Sequence, residues 1–76
     1  MARLPRTTAR RLVRALKKTG WYEHRQRGAH LVMKHPGRPE ARVVVPMHSG
    51  EVLWPKTLAA ILDQAGMSPA ELAELL

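Results

Sequence analysis

The sequence predicts a small α+β domain: one helix, a three-stranded antiparallel sheet, a second helix and a short third. Three observations carry this. Apolar residues recur at helical spacing near both ends of the chain, at Ala9, Leu12, Val13 and Leu16 and again at Leu58, Ile61, Leu62 and Ala65. Between them lie three short stretches that alternate or are β-branched, ending at Val45 before Pro46. Those stretches are separated by turn signals, Arg27-Gly28 and Pro36-Gly37-Arg38-Pro39.

Residues 1–6 read as a short flexible lead. Thr7 or Thr8 offers a hydroxyl to cap the first helix, whose exposed positions are Arg10, Arg11, Arg14, Lys17 and Lys18. Gly20 ends it in the left-handed conformation, and Trp21 folds back onto Leu16 as the apolar partner of that cap. The first strand is expected over Trp21–Arg25, the second over Ala29–His35 and the third over Arg42–Val45. Met47–Trp54, with His48, Ser49 and Gly50, reads as an irregular loop. Pro55 suits the first turn of the second helix, and Gly66 ends it as Gly20 ends the first, with Met67 reaching Leu62. Ser68-Pro69-Ala70-Glu71 is a capping box, with Met67 and Leu72 as its hydrophobic staple, so a third helix runs to the C-terminus. Three strands joined by short turns form a meander, and the helices cover one of its faces. This is the arrangement of the double-stranded-RNA-binding domain.

At 76 residues the chain makes one domain, 1–76, near the lower limit for independent folding. Such a core supplies roughly 3–5 kcal/mol of net stability, so a partner chain would help it. With no cysteine there is neither a disulfide framework nor a thiolate metal site, which fits a reducing, cytoplasmic setting. No apolar run approaches the roughly 18–20 residues of a membrane span, and the basic N-terminus, broken by Pro5, lacks the apolar stretch of a secretory signal. The formal net charge is +7 and unevenly placed. Residues 1–38 hold eleven Lys or Arg against the single acid Glu23, whereas residues 39–76 hold Arg42 and Lys56 against five acids. A concentrated basic half points to a polyanion, nucleic acid first and an acidic protein second.

The stretch Gln26-Arg27-Gly28-Ala29-His30-Leu31-Val32-Met33 is where chemistry is expected. Glycine supplies the positive φ of a hairpin turn, and the following strand sends successive side chains to opposite faces. With Leu31 and Met33 in the core, His30, Val32 and Lys34 face away from it. A histidine beside a basic turn on a rigid strand is placed to meet a phosphate backbone; the plainer reading is a polar strand residue at the surface. Arg25, Arg27 and Lys34 flank it and are candidates to hold phosphates. The four histidines are scattered, without cysteines or an HxxxH helix, so no metal site is expected.

Several of these features occur together in one known family. The Leu12-Val13-x-x-Leu16 helix ends in Gly20-Trp21; Gly28-Ala29-His30 and Lys34-His35-Pro36 follow. Then come Val43-Val44-Val45-Pro46-Met47-His48-Ser49-Gly50-Glu51, Pro55-Lys56-Thr57-Leu58 and Ile61-Leu62-x-x-Ala65-Gly66. In order and spacing these resemble the HicA family of bacterial toxins, from Thr7 onward. The resemblance implies a small ribonuclease that cleaves mRNA and is held inactive by a HicB antitoxin; no cofactor is expected. It also implies that His30 is catalytic, since the family's catalytic histidine closes a Gly-Ser-His turn. Here Ala29 takes the middle position, without the hydroxyl that many members carry.

The expected site is therefore His30 as catalytic residue with Arg25, Arg27, Gly28, Lys34 and His48 as RNA-binding residues. His48 either takes part or stabilises its own turn; Trp54 is open to a packing or a base-stacking role; His24 and His35 decorate strands. The basic side chains of the first helix, Arg10, Arg14, Lys17 and Lys18, either extend the RNA surface or meet an acidic antitoxin. A non-catalytic double-stranded-RNA-binding module on the same fold is the alternative. It normally opens its second helix with several lysines, where this chain has Lys56 alone. A DNA-binding domain is weaker still, for want of a helix-turn-helix pattern.

Overall fold

A computed structural model describes residues 3–48 and 50–76. Ser49, part of the loop and of the matched pattern above, lies outside the described residues. The elements run α1 (Ala9–Lys18), β1 (Tyr22–Arg27), β2 (His30–His35), β3 (Arg38–Pro46), α2 (Pro55–Ala65) and α3 (Pro69–Leu75). The strands form one antiparallel sheet in the order β1-β2-β3. The α+β arrangement expected from the sequence is the one observed.

The helix ends follow their sequence signals. Thr8 caps α1, its hydroxyl accepting from the Arg11 N–H. At the other end the Trp21 and Gly20 N–H groups donate to the Leu16 and Lys17 carbonyls, the double bond pattern of a Schellman cap. Gly20 has φ 100°, which no side chain tolerates readily. The capping box at Ser68 is complete: Ser68 accepts from the Glu71 N–H, and Glu71 accepts from the Ser68 N–H. Its staple residues Met67 and Leu72 are both buried.

The strands differ from expectation at their ends. β1 begins after Trp21, because Trp21 is committed to the helix cap and the core, and it continues to Arg27. Gly28 and Ala29 alone make the first turn: with φ 55° at Gly28 and none positive at Ala29, the turn has the pattern of type II′. β3 begins at Arg38, not Arg42, since Pro36 and Gly37 suffice for the second turn. Pro39 is tolerated because β3 is an edge strand. The ladder is nevertheless irregular there: His35 pairs with Arg38 and Lys34 with Arg42, so regular pairing starts at the expected residue.

Two further segments are more ordered than the sequence suggested. Leu4 of the lead packs against the core. The loop before α2 is pinned to the chain ahead of α1 by a Thr8–Val52 bridge and by the Leu53 N–H donating to the Thr7 carbonyl.

One core lies between the sheet and the helices. Leu12, Leu16, Leu58, Ile61, Leu62 and Leu72 meet Leu31, Met33, Val43 and Val45 of the sheet, with Trp21 closing one end. Two strand-borne side chains also lock the helix C-termini. His35 Nε2 donates to the Thr19 carbonyl at 2.9 Å while its Nδ1 accepts from the Gly37 N–H, and its ring meets Trp21 edge-on. Arg38 donates to the Ala65 carbonyl at 2.8 Å. A Cβ at Gly20 would fall 2.6 Å from His35 Nε2, and one at Gly66 2.8 Å from Arg38 Nη1. Both helix-ending glycines thus clear space for the residue that reaches over them.

Candidate functional site

Since Leu31, Met33, Val43 and Val45 are buried toward the helices, their neighbours along each strand point to the other, helix-free face. Register then assigns that face. Arg27, His30 and Pro46 lie across from one another; Arg25, Val32 and Val44 form the next row; Tyr22, Lys34 and Arg42 form the third. Glu23, opposite Met33, belongs to the helix side, and its ion pair with Lys17 of α1 agrees with that.

His30 is exposed on the first row, beside the tight turn. Arg27 is its direct cross-strand partner, a separation of about 5 Å between Cβ atoms, and Arg25 is the diagonal neighbour at about 7–8 Å. Lys34 shares the face but stands four residues along β2, about 13 Å at 3.3 Å per residue. It therefore stands too far along the strand to share a contact point with His30. Gly28 shapes the turn, and its carbonyl accepts from the Gln26 side chain. The Met47 N–H donates to the Ala29 carbonyl, which carries the β2–β3 pairing beyond its last register pair and fixes the start of the 47–54 loop beside the turn. His48 is exposed at that point, two residues past His30's register partner Pro46, so the fold places both histidines at the same end of the sheet.

Other basic residues lie elsewhere. Arg10, Arg14 and Lys17 border a groove on the helix side of β1, together with Glu23 and Gln26. Lys18 donates to the Leu75 carbonyl at 2.8 Å, closing the end of α3. The sheet thus divides the basic half of the chain into two surfaces. Sequence reasoning missed Arg42 as a member of the His30 face. Its signal was present, because Val43 and Val45 in the core put Arg42 on the outer side. His35 is a structural clamp and not a strand decoration, and Trp21, 4% exposed, belongs to the core. Trp54, by contrast, is 78% exposed. Among the described residues no three of His, Cys, Asp or Glu gather in one place, and no helix is long and apolar enough to cross a membrane.

A search of curated proteins gave no match. A family profile described as the HicA toxin of bacterial toxin–antitoxin systems matches residues 9–67. That span opens with α1, takes in the whole sheet with both turns and the His30 face, and ends past α2 at Met67. It covers most of the chain and every residue placed on the candidate site, so the chain belongs to the HicA family of bacterial toxins.

Proposed function

We propose that this toxin is an endoribonuclease that cleaves mRNA without a metal ion and is neutralised in the cytoplasm by a HicB-like antitoxin. The observation that carries the reading is the first row of the open sheet face. There an exposed imidazole on β2, whose other face is anchored in the core by Leu31 and Met33, stands across from a guanidinium on the exposed edge strand β1. Imidazole titrates close to neutrality, as a general base at physiological pH must. His30 takes the proton of a ribose 2′-hydroxyl, the 2′-oxygen attacks the adjacent phosphorus, and the P–O5′ bond breaks. The leaving 5′-oxygen takes a proton from a second donor, for which His48 stands at the same end of the sheet. The products are a 2′,3′-cyclic phosphate and a 5′-hydroxyl. Arg27, and more distantly Arg25, stabilise the negative charge that builds on the phosphorane-like transition state.

The test is cleavage of a defined mRNA by purified protein. Loss of a general acid–base group costs roughly 10²–10⁴-fold in rate, so His30→Ala protein should bind RNA and fail to cut it. Cutting should persist in EDTA, stop at a 2′-deoxy nucleotide and leave a cyclic phosphate. Cleavage at the deoxy position would overturn the mechanism. Full activity of His30→Ala protein would remove His30 from it, and RNA binding with no cleavage by the parent protein would mark a non-catalytic binding module.

A further inference from the structure

Trp54 has the most exposed large apolar side chain among the described residues, and nothing in the packing of the domain accounts for it. It precedes α2 in an extended conformation (φ −61°, ψ 140°) and makes no side-chain cap bond. Its position is set instead from both sides. Leu53 is buried and tied to the Thr7 carbonyl, and Pro55 begins the helix with its φ restricted by the ring. A large aromatic ring is therefore held in solvent on a rigid stem.

The indole is a shared wall of two open grooves. One, of about 330 Å³, contains Arg6, Pro5 and Val52; the other, of about 250 Å³, contains Pro46, His48, Glu51 and Thr57. The second groove is continuous with the candidate catalytic row, since Pro46 is the register partner of His30. A strand of RNA lying on the His30 face and leaving by the end of the sheet passes Pro46 and His48 and arrives at Trp54. Arg6 in the first groove and exposed Lys56 just after Trp54 supply cations for its phosphates, and outnumber Glu51, the one carboxylate among the described residues of these grooves.

We infer that Trp54 is a stacking platform for a nucleobase of single-stranded RNA, next to the cleavage site on its Pro46–His48 side. This rests on reading the chain as a protein that acts on RNA, and it adds the preferred form of the substrate. An unpaired base offers its π-face to the indole, whereas bases inside a duplex are already stacked on one another. Selection for unpaired RNA then comes from Trp54, and affinity from the arginines and lysines.

The two tryptophans make this measurable, because Trp21 is buried and only Trp54 is open to a quencher. The probe is a short 2′-O-methyl oligoribonucleotide, which has no attacking hydroxyl, titrated into His30→Ala protein. The readout is thus binding alone, whatever residue performs the chemistry. The single strand should quench tryptophan fluorescence. Trp54→Leu should abolish the quench and weaken binding roughly 5- to 150-fold, the range for losing one stacked base, while Trp54→Tyr should keep most of both. The same strand annealed to its complement should quench little. The inference is overturned if Trp54→Leu protein binds the single strand as tightly as its parent, or if the duplex quenches equally. It is also overturned if the substitution releases the antitoxin and leaves RNA binding unchanged, since the ring would then be a protein contact. RNA cleavage combined with undiminished Trp54→Leu binding would sink stacking alone. Quenching without cleavage by the parent protein would sink the ribonuclease alone.

Discussion

Arg27 and Lys34 look equivalent in a list of cations near His30, but their places on the sheet separate them. Arg27 faces His30 directly across the hairpin, whereas Lys34 stands two rows away on the same strand. A cation within reach of the reacting phosphate lowers the barrier; one that touches a neighbouring phosphate contributes to binding only. Arg27→Ala is accordingly expected to lower kcat for RNA cleavage by at least about tenfold. Lys34→Ala should raise KM and leave kcat nearly unchanged. Single-turnover kinetics at saturating RNA distinguish the two, and equal effects on kcat would show that the strand geometry does not govern the chemistry. At this scale much was legible in advance, since period-2 alternation around Leu31 and Met33 sends His30 outward. The separation of Lys34 from His30 also follows from the rise of a strand. The roles of His35 and Arg38 did not show, because their partners, the Thr19 and Ala65 carbonyls, are 16 and 27 residues away in sequence.

At the scale of elements, the β2–β3 hairpin acts as a clasp on the helix layer. His35 and Arg38, themselves paired across the turn, reach the C-terminal ends of α1 and α2. A Gly20→Ala change combines positive φ with a methyl 2.6 Å from His35 Nε2. Together these are expected to cost about 2 kcal/mol, the αL penalty alone being about 1–2 kcal/mol. In a domain of this size that is a fall in Tm of roughly 10 °C. In a His35→Ala background the same change should cost only its backbone share, so the double-mutant cycle by thermal denaturation should show positive coupling. Additive losses would mean that the ring is not what the methyl displaces. Helix boundaries were readable because caps are local chemistry: Thr8, Gly20, Gly66 and the Ser68–Glu71 box all act within a few residues. The start of β3 was less readable. Pro36-Gly37-Arg38-Pro39 looks like one continuous turn, and only an edge position lets Pro39 sit in a strand. Ser68→Ala, by contrast, tests a purely local signal and should lower stability by about 1 kcal/mol.

At the scale of the molecule, the charge asymmetry was evident in the sequence, but its division by the sheet was not. Arg25, Arg27, Lys34 and Arg42 share the helix-free face with His30, while Arg10 and Arg14 line the groove between α1 and β1. Belonging to a toxin–antitoxin family implies an antitoxin partner; with the RNA target proposed above that makes two partners for one small domain, and two basic surfaces are available to serve them. If the RNA lies on the His30 face, binding should be governed by the first set of cations. Each phosphate contact of a single strand contributes about 0.7 to the slope of log K against log salt, so neutralising those four residues should flatten it by up to about 3 units. Arg10→Gln with Arg14→Gln should leave the slope for RNA nearly unchanged. The measurement is oligoribonucleotide binding by His30→Ala protein across a range of salt concentrations, with circular dichroism to verify that each variant keeps its fold. Five of these six cations are exposed and Lys34 is half-buried on the outer face, so their replacement leaves the core untouched. The opposite pattern, a slope that falls with Arg10 and Arg14 and survives loss of the sheet-face set, would place the RNA in the helix-side groove and detach it from His30.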